Sequence, residues 1–355
     1  MSLAHLRITP LVLVALATTL TGQTTVTVPC NLDNTLFQSA TGTLSDGKGT
    51  GCFAGVTAMG RLRRALVRFN VAASVPAGAK VLAASLTLNC SQTTTFLPLD
   101  IAGHRVLQAW GEGNSNSSTM GGGGGAPAQT GDATWLHSSY PTTFWPSAGG
   151  NFAPLPSFTM PTGLGLYTSP LSLGMVTDVQ FWLDTPAQNF GWLLKTSEAL
   201  ASTARRFDTR EKLTGIPPSL SVTYVVPGAV VTWGTGCPVG AGTFGSTFVG
   251  SPVGGTTIQL VQSNAPASTI GANFFSLSLN PAGVPLLLPG CKVYLPLAQE
   301  IIAGNTFTTD PTGGAASSFG VPAGFPGYLV VTQAIAVESN LLGYVVSNAG
   351  VIDLL

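Results

Sequence analysis

The chain has 355 residues, 14 basic and 14 acidic side chains, and a formal net charge of zero. A neutral chain has no overall field that attracts nucleic acid or an anionic membrane, so we exclude both partners. Only 8% of the residues are charged, while there are 44 glycines and 25 prolines. This composition is typical of turn-rich β proteins.

Residues 1–22 have the layout of a secretory signal peptide. Arg7 precedes an apolar stretch from Leu11 to Leu20, and the small pair Thr21-Gly22 follows it. The stretch is too short to cross a bilayer, which takes about 20 apolar residues. We therefore predict a secreted protein, extracellular or at the cell surface, without membrane insertion.

Segments of period-two hydrophobicity predict half-buried antiparallel strands after this leader. The positions predicted to face the core are Ala65, Val67 and Phe69 in residues 64–69, Leu82, Ala84, Leu86 and Leu88 in residues 80–89, and Leu220, Val222, Tyr224 and Val226 in residues 219–226.

Two segments depart from this pattern. The spacing of Met175, Val179, Trp182 and Leu183 predicts a short amphipathic helix over about residues 174–184, which ends before Pro186. A polar insert between Trp110 and Trp135 contains the run Gly121–Gly125, and we predict a mobile surface loop there.

A change of composition near Pro227-Gly228 predicts a domain boundary. From residue 229 onward a single base, Lys292, stands against four acids. Strand patterns then recur over residues 256–262, 273–279, 292–297 and 328–337. We predict an all-β protein with one antiparallel β-sandwich over residues 23–226 and a second over residues 227–355.

The five cysteines lack the close spacing of a zinc site, and export favours disulfides. Cys237 and Cys291 are the only pair in the second predicted domain. Cys30 and Cys52 are the natural pair in the first. Cys90 is then left as a buried free thiol in an apolar strand.

An ordered series of segments in the first domain resembles the DNRLRE-domain family over about residues 30–226. The segments are Asp33-Asn34-Thr35-Leu36, RRALVRFNV from Arg63, PAGAKVLAASLTL from Pro76, HRVLQAWGEG from His104, GDATWLH from Gly131, DVQFWLD from Asp178, FGWLLK from Phe190, ARRFDTRE from Ala204 and PPSLSVTY from Pro217. The eponymous motif lacks its arginine and glutamate here.

The resemblance implies a jelly-roll-like sandwich of secreted bacterial proteins, generally non-catalytic. Some members are carbohydrate-binding modules attached to enzymes that act on acidic polysaccharides such as alginate. WGTGCPVGAGTFG from Trp233 and the LPGC segment ending at Cys291 are similar to carboxy-terminal β modules of exported planctomycete-type proteins.

Two groups of side chains are candidate ligand-binding residues. Acidic polysaccharides need arrayed guanidinium groups, which Arg64, Arg68, Arg206 and Arg210 supply at period-two spacing. The alternative is that these arginines pair with Asp208, Glu211 or Asp178.

Neutral sugars stack on aromatic rings, and Trp135, Tyr140 and Trp145 crowd one long loop together with His137, Phe144 and Phe152. That loop equally fits a satellite core.

Catalytic and metal-binding groups are sparse. Glu112 and Asp132 are the only acids considered for glycoside hydrolysis, and two solvated loop acids are the simpler interpretation. His104 is interpreted as structural, and no serine-nucleophile motif accompanies it. Asp46-Gly47 predicts a hairpin turn. A structural Ca²⁺ bound near Asp33, Asn34 and Asp46 is the alternative interpretation, and we predict no other cofactor.

The sequence thus predicts a non-catalytic protein that binds or attaches to an extracellular polysaccharide or cell-surface component. A structural or adhesive surface protein with no small ligand is the alternative. A polysaccharide hydrolase or lyase is a third interpretation, which the scarcity of acid and base groups disfavours.

Overall fold

The computed structural model describes residues 22–95, 97–117 and 120–355. The predicted signal peptide therefore lies, apart from Gly22, outside the described residues. The prediction of an all-β fold is confirmed.

Strands dominate the part before residue 226. They are β1 (Thr24–Phe37), β2 (Leu44–Ser45), β3 (Gly51–Val56), β4 (Leu62–Phe69), β5 (Lys80–Thr93), β6 (Leu99–Arg105), β7 (Ala126–Pro127), β8 (His137–Ser139), β9 (Thr143–Phe144), β10 (Phe158–Thr162), β11 (Gly165–Thr168), β12 (Trp192–Lys195), β13 (Arg205–Asp208) and β14 (Ser219–Val225).

Ten of these strands form one antiparallel sheet in the order β1-β14-β5-β13-β3-β4-β12-β6-β10, with β11 added to β5. The long strand β1 belongs to two layers, because residues 24–29 pair with β14 and residues 30–37 pair with β4. The sheet thus folds over on itself and encloses a core between its two layers.

Strand β4 carries buried apolar residues on both of its faces. Ala65, Val67 and Phe69 point into the core between the layers, as predicted. Leu66 points outward, but it is also fully buried, beneath the long connection between β6 and β10. The outer face is therefore covered by a satellite core.

Strand β5 departs from the predicted alternation at Leu82. Thr223 pairs with Ala83 and Tyr224 with Val81, so a bulge leaves Leu82 without a pairing partner on β14. A bulge reverses the direction of the side chains on one side of it. Val81 consequently joins the core of the first sandwich, and Leu82 turns toward the second part of the chain.

The predicted helix is confirmed as α1 (Leu173–Asp184). The hydroxyl of Ser172 caps its first turn by accepting a hydrogen bond from the N–H of Met175 at 3.1 Å. The helix ends before Pro186, which begins a short 3₁₀ turn, and its residues Val179 and Trp182 are fully buried against the sandwich.

The second part contains β15 (Val230–Trp233), β16 (Pro238–Val239), β17 (Gly242–Thr243), β18 (Gly245–Val249), β19 (Thr257–Ser263), β20 (Ile270–Ser276), β21 (Val284–Pro285), β22 (Lys292–Val293), β23 (Ile302–Thr308), β24 (Ala315–Gly320), β25 (Leu329–Val337) and β26 (Tyr344–Asp353). A five-stranded sheet in the order β15-β26-β25-β20-β23 faces a three-stranded sheet in the order β18-β19-β24. Phe248, Ile258, Leu260, Val330 and Ile352 pack between them. This is the second sandwich.

The cysteine prediction is confirmed in part. Cys237 and Cys291 form a disulfide in the core of the second sandwich. Cys90 is free and buried, as expected. The predicted Cys30–Cys52 bond is wrong, because both thiols are free. Cys30 lies opposite Phe69 of β4 and Cys52 opposite Phe207 of β13, so the two lie on strands that do not pair with each other.

The two sandwiches meet at the turn that follows β14. Leu82 and Val225 of the first pack with Ala229, Val231 and Leu279 of the second in one buried cluster. The junction is therefore a packed seam, and the backbone on both sides of it contributes to a shared core.

Candidate functional site

The arginines predicted to bind an acidic chain make internal contacts. Arg64 holds Glu198 through two hydrogen bonds of 2.7 and 2.9 Å and donates a third, of 2.7 Å, to the carbonyl of Gly149. Its guanidinium carbon also lies 4.9 Å from the centre of a Trp135 ring. These contacts occupy all three nitrogens of Arg64.

Arg206 is buried and equally engaged. It donates to the carbonyl of Gly121 at 3.0 Å, to Ser91 Oγ at 2.8 Å and to Thr50 Oγ1 at 2.9 Å, and it lies 3.5 Å from Asp208. Arg68 is the least engaged of the four, with one long hydrogen bond of 3.5 Å to Asn31. The structure therefore does not bring the four arginines together as one free row.

The glycine-rich segment is packed, which corrects the prediction of a mobile loop. Arg206 binds the carbonyl of Gly121, and Arg63 donates to the carbonyl of Gly123 at 3.3 and 3.4 Å. Gly122 is buried, and a Cβ atom there would lie 2.7 Å from the carboxylate of Asp46. Two guanidinium groups thus fix a backbone that composition alone marks as flexible.

Arg210 belongs to a partly buried cluster of charged side chains next to Asp33. Its side chain binds Glu112 in a bidentate contact, with Nε 2.9 Å from Oε1, and it lies 2.9 Å from Glu211. Lys48 contacts the same two acids at 2.5 and 3.5 Å. Asp33 completes the cluster, since its Oδ2 accepts from the N–H of Arg210 at 3.1 Å.

The charges of this cluster balance when Asp33 is protonated. Burial, and then the nearby Glu211 carboxylate, raise the pKa of Asp33 to about 8. Burial acts against ionisation of Glu112 too, but hydrogen bonds from Arg210 and Lys48 outweigh it and hold the pKa of Glu112 below its ordinary value. Two cationic side chains therefore face two carboxylates and one neutral carboxyl group.

Asp33, Glu112 and Glu211 also bring three acidic oxygens within 4.8 Å of one another. Such a group can ligate a cation in principle. Here both oxygens of Glu112 already bind Arg210 or Lys48. The donor set fits an ion-pair network better than a metal site.

The predicted turn at Asp46-Gly47 is present, with the N–H of Gly49 donating to the carbonyl of Asp46 at 3.1 Å. Asn34 is buried beside it and donates to the carbonyl of Glu112 at 2.8 Å. Gly47 packs against the same peptide group, because a Cβ atom there would lie only 1.8 Å from the carbonyl oxygen of Glu112. The Asp33-Asn34 pair therefore joins strand β1 to the connection between β6 and β10, which contains Glu112.

The aromatic loop is a satellite core. Trp135 and Trp145 are only 7% and 5% exposed, and the indole N–H of Trp145 donates to the carbonyl of Thr134 at 2.9 Å. Tyr140 is half-buried, with its ring edge-on to His137 at 5.1 Å. Phe144 is the ring of this loop that is mainly exposed. The structure thus favours the second of the two interpretations of these aromatic residues.

The two candidate acids for hydrolysis are buried, which corrects the interpretation of solvated loop acids. Asp132 is fully buried and accepts from the backbone N–H groups of Asn114 and Gln129 at 2.9 and 2.7 Å. Glu112 is 7% exposed and binds the two cations described above. His104 lies in β6 with Nδ1 2.9 Å from the carbonyl of Ala153, a structural contact.

An open groove of about 530 Å³ lies at one edge of the second sandwich, and sequence reasoning missed it. The edge strand β23 of the larger sheet and the edge strand β24 of the smaller sheet border it. Phe275 and Phe319 reach it from the two sheets and stack, with ring centres 5.1 Å apart and planes inclined by 26°. Both residues are half-buried and line the groove, so part of each side chain remains accessible.

Polar groups rim the groove. Asn305 joins the two sheets by donating to the carbonyl of Ser318 at 2.9 Å. Gln299 contacts Ser278 at the same end as Glu300. A mainly apolar groove with a few polar groups is the usual form of a small-ligand site. The sequence signal was the pair of phenylalanines near the ends of two strands, but their 44-residue separation concealed that they meet.

A scan against known protein-family models finds no match to this chain, and a search of curated proteins finds none either. Over the described residues, no helix is long and apolar enough to cross a membrane. The fold and the groove therefore define the class, an all-β protein of two sandwiches with an aromatic groove at one edge.

Proposed function

We propose that the chain is a secreted, non-catalytic protein that binds or attaches to a polysaccharide, and that the groove of the second sandwich is its binding site. The observation that carries this proposal is the stacked pair Phe275 and Phe319 in an open groove with an amide-bearing rim. Pyranose rings present C–H groups that pack on aromatic faces, while amides hydrogen-bond their hydroxyls.

Secretion is supported by two features. The amino-terminal layout is that of a signal peptide, and disulfides such as Cys237–Cys291 persist in oxidising compartments. The three free cysteines are buried, where they are shielded from exchange.

The contacts of the acids support a non-catalytic role. A glycosidase acid must share its proton with a glycosidic oxygen. Glu112 instead binds Arg210 and Lys48, and Asp132 accepts hydrogen bonds from backbone N–H groups. Both acids stabilise the connection between β6 and β10.

A structural or adhesive surface protein is the second candidate. It is favoured by the seam in which Leu82 and Val225 pack against Leu279, because a shared core makes a stiff spacer. Fractionation of producing cells distinguishes the two. Tight retention in the envelope that added polysaccharide does not reverse supports the adhesive alternative.

The test of polysaccharide binding is a pull-down of the chain without residues 1–22 on insoluble cellulose, chitin and cross-linked alginate. Retention on at least one of them, reversed by the corresponding soluble polysaccharide, is expected. Recovery of all the protein in the unbound fraction from every matrix would contradict the proposal.

A further inference from the structure

We infer that the groove takes an uncharged polysaccharide, and that Glu300 is the residue that makes it reject anionic chains. This inference rests on the proposed function and deepens it. It starts from the charges that line the groove and from the way its floor is built.

The floor consists of two aromatic rings from the two facing sheets of the sandwich. Phe275 comes from β20 and Phe319 from β24, and both pack against the core that the sheets share. Anchoring in a core fixes the rings before a ligand arrives, which lowers the entropy cost of binding. The flat face of a neutral sugar is the shape that such a floor complements.

The free edge of β23 offers an alternative, the addition of a strand from another protein. The side chain of Asn305 opposes this, because its amide spans from β23 to the carbonyl of Ser318 on β24. An added strand would have to break that bridge. The carbonyl oxygen of the same amide accepts a hydrogen bond from Asn273 at 3.2 Å, which holds the bridge in place. A ligand that lies across both edges leaves this bridge intact.

The charge of the groove selects against anions. Its lining contains one acid, Glu300, and no base. Glu300 is exposed, and no base among the described residues lies within ion-pair distance of it. Lys292, the only base after residue 229, borders a different cleft beside Trp233. Lys80 of the first sandwich lines a neighbouring cleft that shares Leu277 with the groove, but it forms no ion pair with Glu300. An anionic chain would therefore meet an unpaired carboxylate within about one Debye length, roughly 8 Å at physiological ionic strength.

Two of the candidate arginines of the first sandwich, Arg64 and Arg210, do not change this preference. Arg64 is committed to Glu198, and Arg210 to Glu112 and Glu211. Their fork-shaped donors are the groups that would recognise carboxylated sugars, and internal carboxylates already occupy them.

Affinity electrophoresis in gels that contain hydroxyethyl cellulose or sodium alginate tests the inference. The wild-type chain is expected to be retarded by hydroxyethyl cellulose and not by alginate. Phe319→Leu keeps an apolar side chain against the core but removes the aromatic face, and we expect at least a tenfold weaker affinity for hydroxyethyl cellulose. Phe325→Leu, at an exposed ring of the same sandwich outside the groove, is the matched control and should bind as the wild type does.

Charge variants test the role of Glu300. We expect alginate to retard the Glu300→Lys variant. This retardation should disappear in about 0.5 M salt, because salt at that concentration shortens the Debye length to a few ångströms. Glu338→Lys makes the same charge change outside the groove and should gain none. Circular dichroism and thermal unfolding establish that each variant is folded.

The outcomes separate the two proposals. If the wild-type chain binds neither polymer and no matrix of the pull-down, the proposed function fails. If it binds alginate more strongly than hydroxyethyl cellulose, or if Phe319→Leu binds like Phe325→Leu, polysaccharide binding stands and this inference is overturned. A gain of alginate binding by both lysine variants would overturn the specific role of Glu300.

Discussion

Asp353 offers the sharpest stability prediction, because it is a buried acid without a hydrogen-bond partner. It lies in the last strand, β26, and its side chain is fully buried. Neither carboxylate oxygen has a hydrogen-bond partner among the described residues. Burial raises the pKa of Asp353 from 3.8 to about 6, and the charge of Lys80 only partly opposes this.

The sign of the effect follows from the two pKa values. The folded chain holds the proton of Asp353 more tightly than the unfolded chain does. The contribution of protonated Asp353 to the stability of the fold is therefore fully present below about pH 4 and is lost as the pH rises through about 6. The rise from 3.8 to about 6 corresponds to about 3 kcal/mol, at roughly 1.4 kcal/mol per pKa unit.

Asp353→Asn removes the ionisation and keeps the shape of the side chain. We expect the variant to exceed the wild type in free energy of unfolding by up to about 3 kcal/mol at pH 7.5 and by little at pH 4. Urea denaturation under non-reducing conditions, followed by tryptophan fluorescence at both pH values, measures the difference. The control is Glu338→Gln, in the turn that follows β25. Equal destabilisation by Asp353→Asn at both pH values would refute the reasoning.

Three further predictions concern the packing of each sandwich. Replacing Cys237 and Cys291 together by serine should lower the stability of the second sandwich by about 4 kcal/mol, measured by urea denaturation, since the bond closes a 54-residue separation. Gly47→Ala should cost about 2 kcal/mol or more in thermal unfolding, because its Cβ would lie 1.8 Å from the Glu112 carbonyl oxygen. Arg210→Met should lower the free energy of unfolding by about 3 kcal/mol in chemical denaturation, because it leaves Glu112 with one cation. A variant of these three that is as stable as the wild type would contradict the reasoning given for it.

The spacing of apolar residues along the sequence predicted the elements whose side chains alternate or repeat with a regular period. The i, i+4, i+7 spacing from Met175 gave the helix, and the alternation around Val67 gave the buried face of β4. The Cys237–Cys291 bond followed because no other pair was open to the second sandwich.

What the sequence concealed depends on contacts between distant residues. The bulge that turns Leu82 toward the seam arises from pairing with β14, far along the chain. Glu112 looks like a solvated loop acid until Lys48 and Arg210 arrive from 64 and 98 residues away. The Cys30 and Cys52 thiols are free although both lie in the core of the first sandwich, and the composition gave no sign of this.

The groove was hidden for the same reason. Phe275 and Phe319 lie on different sheets, and each alone looks like an ordinary half-buried strand residue. Only the packing of one sheet on the other brings the two rings together.

The most direct test of the central claim is ¹⁹F NMR of the chain without residues 1–22, labelled with 3-fluorophenylalanine and titrated with soluble hydroxyethyl cellulose. Phe275→Leu and Phe319→Leu assign the two groove signals, and Phe144→Leu assigns the exposed ring of the first sandwich. We expect the signals of Phe275 and Phe319 to shift in a saturable manner while that of Phe144 stays in place. Saturable movement confined to Phe144, with the two groove signals unchanged, would contradict the account.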